Sequence, residues 1–409
     1  MTKDKKNIIW NIIGATANAF NSLFFAIIVT RINGINDGGI FTYSFATACL
    51  LYMIGVYSGR TFQVTDITNK NSDSDYIYHR AITCVVMILI SIAFVFIKQY
   101  DMYKSIIFVL LCGYKCIEAF SESLYAVVQK GDLLYKVGKS MFFKAFISVI
   151  AFLIIDLLTK NLIASCISIV LINIIILLVY DSKNIKEVKF IKTKFSKNSI
   201  IRLFKIGFFT FTLTFLANYL INAPRYAIDD ILTNDLQTIF GIIIMPATLM
   251  ALLGQYIIQP SLIKLSECIK DKKYIEFKSI IKKLIMIIGV LGIIVIFGAY
   301  ILEMPALKLI YGVELSPYFN GMMIIIIGSV LYSLSTILSA ILIAMRKTVG
   351  QAIIYAITAI FTTIMSYILV QKYQIFGASM TYFITMVSTA ILFFIYLCYG
   401  IKKYKKEWN

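Results

Sequence analysis

The stretch DSKNIKEVKFIKTKFSKNS, residues 181–199, is the longest polar and basic interruption in an otherwise apolar chain. Lysines recur through it, and long apolar runs precede and follow it. Such a segment stays in water while the apolar helices on either side do not. It therefore divides the sequence into an N-terminal and a C-terminal group of helices.

The composition assigns those helices to a membrane. Of the 409 residues, 60% are hydrophobic and only 15% are charged, with a mean hydropathy of +0.85. A soluble domain does not reach these values. A helix needs roughly 20 mostly apolar residues to cross a bilayer. Twelve runs meet this condition, at 8–29, 39–58, 81–97, 105–128, 141–158, 162–180, 203–222, 236–259, 284–302, 319–344, 350–370 and 376–399. We predict an all-α polytopic membrane protein.

The Lys and Arg residues orient the twelve spans. If the N-terminus is cytoplasmic, inner segments carry 30 of them and outer segments 7, while Lys115 and Lys144 lie within spans. Cytoplasmic loops normally hold this excess, so both termini are predicted to be cytoplasmic. Basic loops against an anionic inner leaflet also explain the net charge of +18. No nucleic-acid partner is predicted.

The basic stretch predicts the domain limits. They are an N-terminal six-helix lobe at 1–182, a linker at 183–202 and a C-terminal six-helix lobe at 203–409. Both lobes would start inside, as parallel repeats do. A weak echo supports this, because NDGGIF (36–41) opens span two and NDLQTIF (234–240) opens span eight.

Span one has a polar face. Spacings of three and four residues place five positions on one side of a helix: Asn7, Asn11, Gly14, Asn18 and Asn21. Amides there either pack against another helix or line a water-filled cavity. The sequence leaves both interpretations open.

Span four carries charges. Lys115, Glu118 and Glu122 share one helical face. A charge inside the bilayer costs about 2.5–3.5 kcal/mol or more, so Lys115 and Glu118 are expected to pair across one turn. Glu122 then lacks a partner on its own helix, and Lys144 is the candidate. The set is either a structural salt-bridge network or a site at which a carboxylate binds a proton or Na⁺.

Span seven carries a third polar stripe, which continues into the sequence LINAPRYAIDDIL (220–232). Its members are Thr210, Thr214, Asn218, Asn222, Arg225 and Asp229. Pro224 is expected to end the helix, with Asn222 capping the segment after the proline. Arg225 would lie at the outer end of the stripe, either held by Asp229 or available to a substrate.

Several chemistries lack the residues that they need. The seven cysteines form no CxxC pair, and the one histidine, His79, is expected in a polar loop. No GxxxxGK[ST] motif and no nucleophile–base–acid set occurs. We predict no metal, no cofactor and no enzymatic activity.

Three stretches resemble a known family. They are DGGIFTYSFATACLLYMIGVYSGRTFQVTD (37–66), KCIEAFSESLYAVVQKGD (115–132) and NAPRYAIDDIL (222–232). In this order, and with twelve spans, they are similar to the Wzx-type polysaccharide flippases of the multidrug/oligosaccharidyl-lipid/polysaccharide (MOP) exporter superfamily. The sequence departs from that family at GVYSGR (55–60), where apolar residues are more usual.

The resemblance implies a MATE-like V-shaped pair of six-helix bundles that works by alternating access. It implies export of oligosaccharide repeat units on undecaprenyl pyrophosphate across a bacterial plasma (inner) membrane, for O-antigen, capsule or other surface polysaccharide. A polysaccharide polymerase and a chain-length regulator are candidate partners, besides membrane lipids.

The matched motifs and polar stripes give two sets of candidate site residues. The candidate substrate-binding residues are Arg60, Arg225, Lys115, Lys144, Asn18, Asn21, Asn218, Asn222 and Tyr226. The candidate ion-coupling residues are Glu118, Glu122 and Asp229. Gln63 and Asp66 also fall inside the matched motifs.

Two other functions are alternatives to the flippase. A MATE-type multidrug or small-metabolite antiporter would use the same fold, with the carboxylates binding cations. A polysaccharide polymerase or membrane glycosyltransferase would need a large outer loop or a catalytic domain, and the spacing of the spans leaves room for neither.

Overall fold

The computed structural model describes residues 2–66 and 71–408, and every regular element in these ranges is helical. The helices of the first half are α1 (Lys3–Ile32), α2 (Ile35–Val56), α3 (Gly59–Thr65), α4 (Asp73–Lys98), α5 (Met102–Lys130), α6 (Leu134–Thr159), α7 (Leu162–Ile176) and α8 (Ser182–Ile185). Those of the second half are α9 (Lys197–Ile231), α10 (Asn234–Ile243), α11 (Met245–Lys270), α12 (Tyr274–Tyr311), α13 (Phe319–Ala344) and α14 (Thr348–Trp408).

The predicted spans correspond to these helices. In the described residues, ten helices are long and apolar enough to cross a membrane. The last of them holds two predicted spans, joined across a kink at Gln374. The charged helix α5 covers the remaining predicted span, 105–128. The all-α, multi-pass architecture predicted from the sequence is confirmed.

The contacts divide the chain into two compact units, Met1–Phe215 and Leu216–Asn409. The division falls inside α9, which is continuous across it. The lobe limits 1–182 and 203–409, with the linker between them, stay a proposal.

In the first unit, α5 lies against α2, α4 and α7, and α1 packs along α6. The α1–α6 contact is close because both helices have a glycine there. A Cβ atom on Gly138 would lie 2.1 Å from the Trp10 carbonyl oxygen. Beside it, a core of aromatic rings includes Phe25 and Phe152, whose centroids are 4.9 Å apart. These contacts fix the distance between α1 and α6.

In the second unit, α13 packs against α11, α12 and α14. The buried polar residues of this unit are mostly serine and threonine. Many bond to a carbonyl one turn earlier, as Thr358 does to Ile354 and Thr381 to Gly377. This satisfies the hydroxyl inside its own helix, so the residue can be buried in an apolar environment.

Two expectations about α9 are wrong. Pro224 does not end the helix, which continues to Ile231, and Asn222 is not a cap but bonds through Nδ2 to the Asn218 carbonyl at 3.0 Å. A membrane helix tolerates proline when neighbouring helices and polar side chains satisfy the freed backbone groups. The Arg225 stripe therefore belongs to the helix and not to a loop.

Span two ends in a turn that the sequence did not predict. The predicted span 39–58 corresponds to α2, which stops at Val56, and a short helix begins at Gly59. Tyr57 has a φ of 50° and Gly59 a φ of +77°, values that interrupt a right-handed helix. The interruption falls in GVYSGR, the stretch that departs from the family pattern.

Candidate substrate-binding site

In the first unit, α5 carries the central charges of the candidate site on one face. The Lys115 ammonium lies 2.7 Å from a Glu118 carboxylate oxygen, as the spacing on span four predicts. Asn18 of α1 donates its amide to the other Glu118 oxygen at 3.0 Å. Charge pairing and a hydrogen bond together lower the cost of burying this carboxylate.

Aromatic rings surround the Lys115 ammonium. The centroids of Phe45, Tyr114 and Tyr52 lie 4.9, 5.3 and 5.6 Å from Nζ. Ring faces attract a cation when water is scarce. Asn21 of α1 donates to the Tyr114 hydroxyl at 3.5 Å, so two of the four amides of the α1 stripe, Asn18 and Asn21, reach α5.

Glu122 pairs with Arg60, one turn further along α5. The Arg60 Nε lies 3.5 Å from Glu122 Oε2, and the two side chains are 23% and 16% exposed. Within the described part of the chain, Arg60 Nη1 has no hydrogen-bond partner. This pair is longer than the Lys115–Glu118 pair, and its guanidinium keeps hydrogen-bonding capacity.

The proposed pairing of Lys144 with Glu122 is wrong. The Lys144 ammonium lies 2.6 Å from both Asp181 Oδ2 and Ser121 Oγ. Asp181 closes a π-helical turn, Leu177–Asp181, that follows α7, and its carboxylate also accepts the Ser140 hydroxyl. This inserted turn holds Asp181 in the interior at 1% side-chain exposure, although the sequence places it at the start of the basic loop.

Three further polar residues of the first unit contact other helices; of these, His79 was misplaced and Arg80 was missed. His79 is not in a loop but in α4, at 3% exposure, with its ring 4.4 Å from that of Phe204. Arg80, next to it, is 4% exposed and donates to the Gly55 carbonyl at 2.7 Å. Gln63 of α3 donates to the Ser123 carbonyl at 3.3 Å. No local periodicity identifies such residues, because each contacts a different helix.

The remaining candidates lie on α9 within the second unit. Arg225 is 9% exposed, and its guanidinium lies 5.7 Å from the Phe240 ring centroid. Tyr226 stacks on Tyr219 with centroids 5.7 Å apart. Asn218, Asn222 and Asp229 follow the same helix at half-buried positions. The structure thus gathers the candidates into a charged group in the first unit and a mostly neutral group in the second.

No model of a known protein family matches the chain. The capsular polysaccharide biosynthesis protein CapF of Staphylococcus aureus is 24% identical over 346 residues, 84% of this chain and 86% of CapF. The lipid II flippase MurJ, in an inward closed conformation, matches with a TM-score of 0.73 and 13% identity, over 98% of this chain and 90% of MurJ. A multidrug resistance MATE family transporter of the MOP superfamily, facing inward, matches with a TM-score of 0.74 and 12% identity, over 98% of this chain and 99% of that one.

These matches show the fold. At such low identity the likeness to solved structures shows the fold alone, and it is the fold of the flippase MurJ and of a MATE family transporter of the MOP superfamily. The resemblance noted in the sequence is thereby confirmed at the level of the fold. In sequence, the chain is similar to a protein of capsular polysaccharide biosynthesis.

Proposed function

We propose that the protein is a flippase that moves undecaprenyl pyrophosphate-linked oligosaccharide repeat units from the cytoplasmic to the outer leaflet, for a surface polysaccharide. The observation that supports this proposal is the environment of the Arg60 side chain. This side chain is largely buried, at 23% exposure, and its guanidinium has one carboxylate partner at 3.5 Å and an Nη1 group without a hydrogen bond in the described residues. A pyrophosphate offers the paired oxygens that a guanidinium binds best.

The other candidates have roles in the same proposal. Lys115, Lys144 and Arg225 add positive charge, and the amides of Asn18, Asn21, Asn218 and Asn222, with Tyr226, suit sugar hydroxyls. The Glu118, Glu122 and Asp229 carboxylates are candidates for binding a coupling proton or Na⁺. Transport would follow alternating access, with the site open to one side of the membrane at a time.

The proposal also includes the membrane in which the protein lies, the polysaccharide product and the partner proteins. The Lys and Arg distribution supports a bacterial plasma membrane location with both termini cytoplasmic. The similarity to CapF supports capsule-type polysaccharide as the product. A polymerase that consumes the flipped units and a chain-length regulator would be its partners.

The test is complementation of a deletion strain, with surface polysaccharide measured by immunoblot or sugar analysis. Arg60→Ala is expected to lower polysaccharide by about tenfold or more, the effect of losing one charge-assisted contact of about 1.5–3 kcal/mol, at unchanged protein level. The exposed Lys308→Ala is the matched control. Normal polysaccharide in the Arg60→Ala strain would overturn the role of Arg60.

A second function shares the fold, because a MATE transporter and MurJ match the chain about equally well. A MATE-type multidrug or metabolite antiporter predicts altered resistance to cationic drugs on deletion, with surface glycans intact. Loss of glycans with unchanged drug resistance supports the flippase. Accumulation of single flipped units would instead indicate a polymerase.

A further inference from the structure

The interruption of span two exposes a backbone carbonyl inside the membrane-embedded part of the protein. Between α2 and α3, Tyr57 has a φ of 50° and a ψ of −97°, so the regular hydrogen bonds of the helix stop there. The carbonyl of Gly55 would normally bond to an N–H one turn ahead. An unsatisfied carbonyl in an apolar environment costs several kcal/mol, so something must replace that bond.

Two side chains of α4 replace it. The Arg80 Nη1 and the Thr83 hydroxyl each donate to the Gly55 oxygen at 2.7 Å. Arg80 is 4% exposed and Thr83 is 2% exposed. A neutral donor could bond this carbonyl without the cost of burying a charge. Here a buried guanidinium and a buried hydroxyl bond the carbonyl together, and both come from α4.

The other side of the interruption contacts α9. The Tyr57 ring stacks on Phe211 with centroids 4.7 Å apart, and its hydroxyl donates to the Phe204 carbonyl at 3.1 Å. Gly207 lies at this contact, where a Cβ atom would come within 2.9 Å of the Ser58 Cβ. The absence of a side chain at Gly207 therefore lets α9 approach the turn.

Arg60 directly follows this turn. It is the second residue of α3, and Gln63, on the same short helix, bonds to the Ser123 carbonyl of α5. A helix of seven residues cannot fix its own direction. The direction in which Arg60 points is thus set by the bonds to Gly55, by the Tyr57 contact and by Gln63.

We propose that Arg80 and Thr83, from α4, and Tyr57, through α9, are positioning residues for Arg60. They hold the turn between α2 and α3 in the geometry that presents the Arg60 guanidinium to Glu122 and to a diphosphate. The inference rests on the proposed function for the identity of the diphosphate. The geometry of the turn itself does not depend on that function.

The first measurement is a double-mutant cycle on the purified protein in detergent, with geranyl pyrophosphate as the probe. Arg60→Ala and Arg80→Gln are each expected to weaken its binding about tenfold, within the range for coupled neighbours. The double variant is expected to bind no more weakly than Arg60→Ala alone. If the two effects multiply to about a hundredfold, Arg80 does not act through Arg60 and the inference is overturned.

Thr83→Val provides a second test of the inference in case Arg80→Gln does not fold. It removes the second donor to Gly55 and is expected to weaken probe binding by about two- to fivefold, the value of one neutral hydrogen bond. The matched control is Thr358→Val in α14, whose hydroxyl is equally buried but bonds within its own helix. Equal binding by both threonine variants and the wild type would contradict the inference.

Hydrogen exchange separates the inference from the proposed function. In Arg80→Gln, Thr83→Val and Tyr57→Leu, amides of residues 55–66 are expected to exchange faster than in the wild type, and Thr358→Val is expected to leave them unchanged. If Arg60→Ala binds the probe normally while exchange rises as expected, the diphosphate function is wrong and the turn is still held as inferred. If exchange at 55–66 is unchanged in the first three variants, the positioning role is wrong.

Discussion

The two units satisfy their buried polar groups with different chemistry. In Met1–Phe215, four ion pairs have largely buried side chains: Arg60–Glu122, Lys115–Glu118, Lys130–Asp73 and Lys144–Asp181. In Leu216–Asn409, the buried groups include many hydroxyls that bond within their helices, and the described pairs Lys273–Asp271 and Lys308–Glu314 are exposed. A buried charge depends on its partner, whereas a hydroxyl bonded to its own helix does not. The first unit should therefore be far more sensitive to single substitutions.

The largest loss of stability is expected when one member of a buried ion pair is removed, and this tests the difference between the two units most strongly. Lys144→Met leaves the Asp181 carboxylate buried without its ammonium, and the expected loss of stability is about 3–5 kcal/mol. Thermal unfolding in detergent, followed through Trp10 fluorescence in the first unit, measures it. The double variant Lys144→Met/Asp181→Leu is expected to recover most of the loss, since no charge remains unpaired. A single variant as stable as the wild type would show that water reaches Asp181.

A smaller effect is expected from close helix packing. Gly138→Ala would place a methyl 2.1 Å from the Trp10 carbonyl oxygen, so α1 and α6 must separate at a cost of about 1–3 kcal/mol. Gly289→Ala, in α12, is the control, because a Cβ there has no atom within 4 Å. Unfolding midpoints should fall for the first variant and stay level or rise for the second. Equal midpoints would contradict the α1–α6 geometry.

A hydroxyl pair in the second unit should contribute less. Thr362 and Thr385 bond to each other across α14 at 2.9 Å, and Thr385 also bonds to the Thr381 carbonyl. Thr385→Val is expected to lower stability by about 0.6 kcal/mol, the average for polar contacts in a membrane protein. Unfolding of this variant beside Lys144→Met tests the comparison directly. A loss as large as that of Lys144→Met would remove the distinction between the units.

The smallest effect is expected at the exposed Lys308–Glu314 pair. Hydrogen bonds from Lys308 and Ser316 lower the pKa of Glu314 from 4.5 to about 2. A lowered carboxyl pKa stabilises the fold above the unfolded pKa, and this stabilisation disappears as pH falls towards 2. Solvent screens a fully exposed group, so Glu314→Gln and the wild type should unfold alike at pH 7 and at pH 3. A difference at pH 7 that becomes smaller at pH 3 would show that the pair contributes.

Local patterns predicted much of the site. The shared face of Lys115 and Glu118 follows from helical spacing, and their pairing needs only one turn of helix. The predictions were wrong where the partner of a polar side chain lies on another helix, or where the regular helix is interrupted. Lys144 bonds to Asp181 because of a π-helical turn, and His79 is buried because Tyr57 and Phe204 cover it. Neither event leaves a periodic signal in the sequence.

The sequence by itself determined that the chain is an all-α multi-pass membrane protein with charges along span four, and it predicted twelve spans. These features depend on hydropathy, on Lys and Arg counts and on the spacing of residues within one helix, all of which are local. Only the tertiary structure decided that α9 passes through Pro224, that span two breaks at Tyr57, and that Arg80 bonds to the carbonyl exposed by that break. These depend on which helices lie side by side, because in a membrane each freed backbone group or buried charge must find its partner on a neighbour.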